Sequence, residues 1–140
     1  MKLSLIQMNS VSDKAANISE ASRLIEEAVA HERPDWVLLP EVFDWHGGSK
    51  ADKLREAEII PGGPAYEMAQ GLAKKHRIFV HAGSLFEKIP GEDRVGNTSV
   101  VFNREGAEVA RYRKMHMFDI TTPDGTPYNE SATIKPCDGL

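Results

Sequence analysis

Three segments near the start of the chain, in a fixed order, constrain its fold more than any other feature. They are a short apolar run, an amphipathic helical stretch, and a second apolar run stopped by a proline. Residues 3–8 are apolar enough for a buried strand. Ala16, Ile18, Ala21, Leu24, Ile25, Ala28 and Val29 then recur at helical spacing, with Glu20, Arg23, Glu26 and Glu27 on the other face. Ser12 or Asp13 can cap the start, and Pro34 ends the helix. Residues 35–40 read as a second buried strand closed by Pro40. Strand, long crossover helix and strand make a βαβ unit, which implies parallel neighbours joined by a right-handed connection. In open α/β sheets, functional groups gather just beyond the carboxyl ends of the strands. Glu41 stands at that place.

The pattern repeats once and then changes. Residues 42–50 form a loop containing Trp45, His46, Gly47 and Gly48, and residues 51–60 fit a short helix or an ordered loop. Pro61-Gly62-Gly63-Pro64 is a strong turn. Residues 65–76 read as a helix buried through Tyr66, Met68, Ala69, Leu72 and Ala73, and residues 78–84 as a strand that 83–87 can extend. After the turn at Pro90-Gly91-Glu92-Asp93, residues 97–102 and 108–113 are strand-like around a hairpin turn at Asn103-Arg104-Glu105-Gly106. Residues 114–140 are rich in Pro, Gly, Thr and Asp and show no periodicity. No linker or repeat divides the 140 residues, of which 41% are hydrophobic, so one domain is expected. Asp138-Gly139-Leu140 reads as the opening of a further element. A sheet with this many apolar strands also calls for more helical cover than the chain supplies. The expectation is an incomplete chain; the plainer alternative is a small domain with a loose tail.

A net charge of −4 gives no help in binding nucleic acid or an anionic membrane, and neither partner is expected. Basic residues cluster at Arg111, Arg113 and Lys114, which for the two arginines reads as a solvated strand end. The single cysteine, Cys137, allows no intrachain disulfide. The first residues carry no signal-peptide pattern, and no apolar run approaches the ~20 residues that span a bilayer. The default reading is cytoplasmic. His31, His46, His76 and His81 show no metal-ligand spacing. No GxGxxG, P-loop or CxxC pattern occurs, so no cofactor and no metal are inferred.

Taken singly, the candidate residues stay open. Glu41, straight after an apolar strand and a proline, is held in a fixed position with little water, a setting that raises a carboxylate's pKa and makes it a better base. A strand-end surface carboxylate or a helix cap fits about equally well. Lys114, among aromatic and apolar neighbours, can present a fixed ammonium to an oxyanion, but alone it reads more simply as the last of three basic surface residues. Glu130 alone says nothing. His116, two positions after Lys114, reads as ordering its loop.

Together the segments change the odds. Leu39-Pro40-Glu41-Val42-Phe43, then Tyr112-Arg113-Lys114-Met115-His116-Met117-Phe118-Asp119, then Glu130-Ser131, resemble the nitrilase (carbon–nitrogen hydrolase) superfamily, with its L-P-E, Y-R-K-x-H-[LM]-F-D and E-S-x-x-x-x-P-G signatures. The Pro61-Gly62 turn and the Asn97-Thr98-Ser99 strand start look like family features too. The resemblance covers the whole chain in order and is nearest to the branch holding omega-amidase and deaminated glutathione amidase.

That resemblance implies an α-β-β-α sandwich, of which residues 1–140 would be the N-terminal part, incomplete at the C-terminus. It implies a cysteine-dependent amidase acting on small non-peptide amides. Glu41 would be the general base, Lys114 the oxyanion stabiliser, and Glu130 the residue holding Lys114 and substrate. Family members assemble as homodimers or larger homo-oligomers, and the same is expected here. The sequence departs from the family at the nucleophile. Cys137 stands in Pro136-Cys137-Asp138-Gly139, where the family has glycine after the proline, and a strand-to-helix elbow cannot fit before Leu140. Cys137 therefore reads as an incidental loop thiol, with the nucleophile expected beyond the chain and the 140 residues alone inactive. Two other readings remain: a non-catalytic binding protein built on the front half of the fold, and an ammonia-supplying glutaminase or acyl-transfer relative. Trp45, His46 and the Pro61 turn are candidates for the pocket wall.

Overall fold

The computed structural model describes residues 1–137. The expectation for residues 138–140 lies outside them. Strand β1 (Leu3–Leu5) pairs in parallel with β2 (Trp36–Leu38). One further rung, from the Ile6 N–H to the Leu38 carbonyl at 2.9 Å, extends the pair. β1 is shorter than residues 3–8 because its partner soon reaches Pro40, which has no N–H to continue a ladder. Helix α1 (Lys14–Glu32) connects the two strands. The Asp13 carboxylate caps it by accepting from the Ala16 N–H at 3.0 Å. It ends at Arg33, in the left-handed conformation, one residue before Pro34.

The undecided stretch contains a short helix, α2 (Lys50–Glu56), started by a reciprocal capping box between Ser49 and Asp52. α3 (Pro64–His76) begins on a proline and leads to β3 (Phe79–His81), parallel to β2. β4 (Leu85–Lys88) and β5 (Val95–Phe102) follow, then β6 (Glu108–Arg113). β3 and β4 lie in succession along one edge of β5, and β6 pairs with its other edge, all antiparallel to it. Residues 83–87 thus continue the direction of β3, but with a break. Gly83 sits at φ +50, and a Cβ there would lie 1.9 Å from the Pro40 carbonyl oxygen. Only glycine lets these two chain segments approach so closely.

The result is a six-stranded sheet, with β1-β2-β3-β5-β4 in order and β6 beside β5. α1 and α3 cover one face, where Ala21, Ile25, Ala69, Leu72 and Ala73 pack on Val37, Val80, Val100 and Phe102. Among the described residues the other face is open over β1–β3, with Leu3 and Leu5 exposed and Trp36 stacked on Phe79 at 5.0 Å, whereas at β4 and the start of β5 Phe86 and Val95 are buried with Trp45 and Ile134. One helical layer on one sheet makes two layers of an α-β-β-α arrangement. Residues 114–137 hold more structure than their sequence suggests. β7 (Asp119–Thr121) and β8 (Pro127–Asn129) form a separate hairpin, followed by a 3₁₀ turn at Glu130–Ala132. Among the described residues no helix is long and apolar enough to cross a membrane.

Candidate active site

Glu41 is carried on an elbow just past β2. Ser84 clamps this elbow: its hydroxyl accepts from the Val42 N–H at 2.9 Å and its carbonyl from the Phe43 N–H at 3.2 Å. Val42 is held at φ 49, a left-handed conformation costly for a β-branched residue, on the order of 1–3 kcal/mol. Strain of this kind persists only where the surroundings over-determine it. Lys114 follows β6, and its N–H bonds the Asn97 carbonyl at 2.9 Å, so the ladder with β5 fixes where its side chain starts. The β7–β8 hairpin then carries the chain back. Glu130, sixteen positions after Lys114, returns to its side at the start of the 3₁₀ turn.

The three residues singled out in the sequence meet. Lys114 Nζ donates to Glu130 Oε1 at 2.9 Å and to Glu41 Oε1 at 3.2 Å. Glu130 also accepts from the Phe118 N–H at 2.6 Å, which ties residues 114–118 to the turn. Burial acts to lower the Lys114 pKa, but its hydrogen bonds and charge attraction to Glu130 and Glu41 outweigh that and hold it above the ordinary lysine value. It is a permanently charged donor between two acceptors. All three residues line one cavity of about 640 Å³, whose walls include Trp45, His46, Phe86 and Tyr128. A smaller hollow of about 410 Å³ on the helix-free face shares Glu41 and Lys114, with His81 and Ser99 hydrogen-bonded there at 2.6 Å.

Several expectations need correction. The Glu41 side chain is 63% exposed, not shielded from water, because the elbow projects it into an open cavity instead of the core. Trp45 and His46 do line that cavity, but the Pro61 turn does not; it leads into α3 on the helical side of the sheet. His116 is exposed, and its loop is ordered instead by the Phe118–Glu130 bond and by Met117 packing near Trp45 and Ile134. Cys137 lines a different cavity, of about 250 Å³, with Glu87 and Arg113, and its N–H bonds the Lys114 carbonyl at 3.0 Å.

Sequence reasoning missed two features. Asn97 Nδ2 donates to Glu41 Oε1 at 2.8 Å and steadies it; its place in a buried strand, where a polar amide needs a partner, was the available signal. Beneath the elbow, Lys14 Nζ donates to Asp44 Oδ2 at 2.7 Å and to Glu58 Oε1 at 2.9 Å. Glu58 also accepts from the Ala65 and Tyr66 N–H groups that open α3, and Asn17 donates to the Asp44 carbonyl at 2.9 Å. Burial, opposed by Lys14 and reinforced by the Glu58 charge, pushes the Asp44 carboxyl up to about 6. Nothing in a lone lysine and two distant acids signals such a cluster. Among the described residues, no group of three or more His, Cys, Asp and Glu side chains is placed to hold a metal ion.

A fixed ammonium between two carboxylates, on the wall of a cavity, can stabilise an oxyanion while a neighbouring carboxylate moves a proton. Known proteins resemble the chain in sequence and in fold. The carbon–nitrogen hydrolase family model matches residues 2–139. The omega-amidase of Saccharomyces cerevisiae is 36% identical over 97% of this chain and 48% of its own length. The deaminated glutathione amidase of Synechocystis is 35% identical over 92% of this chain and 47% of its own length. The crystal structure of Saccharomyces cerevisiae Nit3, a member of branch 10 of the nitrilase superfamily, superposes with a TM-score of 0.82 at 28% identity, covering 99% of this chain and 49% of that one. The chain spans about half the length of these relatives.

Proposed function

The chain belongs to the carbon–nitrogen hydrolase family, and from that premise we propose that the full-length protein hydrolyses small non-peptide amides to a carboxylate and ammonia. The observation that carries this reading is Lys114 Nζ donating to both Glu41 and Glu130 at the cavity wall. The nucleophile is a cysteine on a segment beyond residue 140, since Cys137 lines another cavity. Residues 1–140 alone are then inactive.

Glu41 takes the thiol proton and the thiolate adds to the amide carbon. The carbonyl oxygen becomes an oxyanion held by the Lys114 ammonium. When the tetrahedral adduct collapses, the C–N bond breaks and ammonia leaves with the proton from Glu41, giving a thioester. Glu41 then removes a proton from water, which attacks the thioester; the acid departs and the thiol is restored. Glu130 keeps Lys114 aimed, and its bond to the Phe118 N–H keeps the loop closed on it. The same reading makes a small-molecule amide the partner and a homodimer or larger homo-oligomer the assembly.

The test is ammonia release by the full-length protein from a panel of short aliphatic amides, with mass spectrometry of the quenched enzyme. The expected result is steady release together with an acyl adduct on one cysteine past residue 140. A protein that releases no ammonia, or whose adduct forms on Cys137, overturns the reading.

A further inference from the structure

Strand β6, which carries the chain to Lys114, is an edge strand: among the described residues it pairs only with β5. Such a strand has ladder hydrogen bonds on one side alone, and its end frays unless something else ties it down. Arg113, the last residue of β6, supplies a tie. It is only in part the solvated strand end that its sequence suggests, because its guanidinium reaches over β5 to Glu87 on β4. Nε donates to Glu87 Oε2 at 2.5 Å and Nη2 to Oε1 at 2.7 Å. β4 and β6 are two inter-strand spacings apart, about 10 Å, which only a long side chain spans. Gly96, the register partner of Glu87 on the strand between, keeps the crossing open: a Cβ there would crowd Thr98 Oγ1, at 3.2 Å.

Glu87 is 3% exposed and also accepts from the Thr98 hydroxyl at 2.7 Å. Burial acts to raise its carboxyl, but the hydrogen bonds from Arg113 and Thr98 and the attraction of Arg113 outweigh that and hold it below the ordinary glutamate value. One charged, bidentate contact thus joins three neighbouring strands. Side chains alternate between the two faces along a strand. Arg113 and Thr98 are register partners and share the helical face with Val100 of the core. Asn97 and Lys114, one residue away on either side of that rung, open on the other face, into the cavity. There the Lys114 N–H bonds the Asn97 carbonyl at 2.9 Å, and both side chains reach Glu41 Oε1. The pinned rung and the rung that carries the acid–base contacts are adjacent.

Resting on the amidase reading, we infer that Arg113 and Glu87 are positioning residues: their pair over β5 fixes where Lys114 leaves the sheet, and so where its ammonium meets the oxyanion. The bond from Lys114 Nζ to Glu41, at 3.2 Å, is the longer of the two that it makes, so a small shift in where the side chain starts opens it. The oxyanion is absent from the ground state, so the pair acts on kcat and leaves KM nearly unchanged.

The experiment uses the full-length protein. Arg113→Met alone would strand the buried Glu87 charge, so both charges are removed together in Glu87→Gln/Arg113→Met, which leaves Thr98 its acceptor. Arg113→Lys keeps the charge but not the fork. Turnover is counted per acylated enzyme by mass spectrometry, which discounts unfolded protein. In both variants kcat per site should fall about tenfold or more, as for a small misplacement of a catalytic group, with KM within about twofold. In a Lys114→Met background the same changes should cost less than about twofold, since no ammonium is left to place. An undiminished kcat per site, or a loss by the same factor in both backgrounds, overturns the inference. Hydrogen exchange at the Lys114 amide reads the pin without turnover and should quicken in both variants. If the wild type releases ammonia and kcat per site holds in the variants, the positioning role falls while the amidase stands. If exchange quickens but the wild type hydrolyses no amide, the amidase reading falls alone.

Discussion

Lys14 and Lys114 each donate to two carboxylates at ordinary ion-pair distances: 2.7 and 2.9 Å for Lys14 to Asp44 and Glu58, 2.9 and 3.2 Å for Lys114 to Glu130 and Glu41. Their acidic partners at the elbow, Glu41 and Asp44, are three residues apart. Contact geometry does not tell the clusters apart; access does. Side-chain exposure is 12%, 0% and 3% for Lys14, Asp44 and Glu58, against 27%, 63% and 21% for Lys114, Glu41 and Glu130. A charge sealed away from water and substrate can only hold structure, joining α1, the elbow and the start of α3. The same arrangement on a cavity wall leaves a carboxylate free to exchange protons. The elbow thus carries one acid facing inward, which anchors it, and one facing outward.

Removing each lysine is the sharpest way to break this comparison. Lys14→Met would leave two buried carboxylates without their counter-charge, which costs about 3–5 kcal/mol of stability. Urea unfolding of the full-length protein should show that loss; a change under about 1 kcal/mol would mean the buried cluster anchors nothing. Lys114→Met should do the reverse. Turnover should fall on the order of 10²–10³-fold, as for loss of an oxyanion donor, while stability moves by less than about 1 kcal/mol. Equal losses of stability in the two variants would erase the distinction between the clusters.

The sequence was read more successfully where neighbours along the chain decide the outcome. The βαβ start, the Asp13 cap and the place of Glu41 past a proline-closed strand follow from local pattern, and the structure agrees. Lys114 and Glu130 became legible only through the order of their motifs, because the hairpin that brings them together has no apolar periodicity; its Ile120 and Tyr128 are exposed. The Lys14–Asp44–Glu58 cluster was not legible. Its partners are 30 and 44 positions apart, and each alone reads as a surface charge. The exposure of Glu41 was misread for a related reason: position along a strand fixes where a side chain starts, but the elbow at Val42 decides where it points.

A smaller effect tests the inward acid by pH. Burial raises the Asp44 carboxyl from an ordinary 3.8 to about 6, against the pull of Lys14 and with the Glu58 charge adding to it. Between those values the folded protein binds a proton that the unfolded chain has released. The stabilisation is therefore fully present below about pH 4 and is lost as pH rises through about 6, with a slope no steeper than about 1.4 kcal/mol per pH unit for one proton. Asp44→Asn should remove this component from the wild-type-minus-variant stability curve. A flat difference curve over that window would show that Lys14 keeps Asp44 ionised throughout.

The smallest effect falls on the outward acid. Asp44 is fixed by enclosure, but Glu41 reaches into open space and is steadied by the donors that meet its Oε1, Asn97 Nδ2 at 2.8 Å and Lys114 Nζ at 3.2 Å. Asn97→Ala removes the shorter bond and leaves Lys114 in place, so the carboxylate keeps its charge partner while gaining freedom to swing. A hydrogen bond to a charged group contributes about 1.5–3 kcal/mol, and the surviving bond offsets part of its loss, so kcat should fall roughly tenfold. KM should stay within about twofold, since Asn97 bears on the base. If kcat holds in Asn97→Ala, Lys114 alone orients Glu41, and the open cluster is more self-supporting than its exposure suggests. If KM rises instead, the Asn97 amide faces the substrate as well as the acid, and the outward side of the elbow binds as well as moves protons.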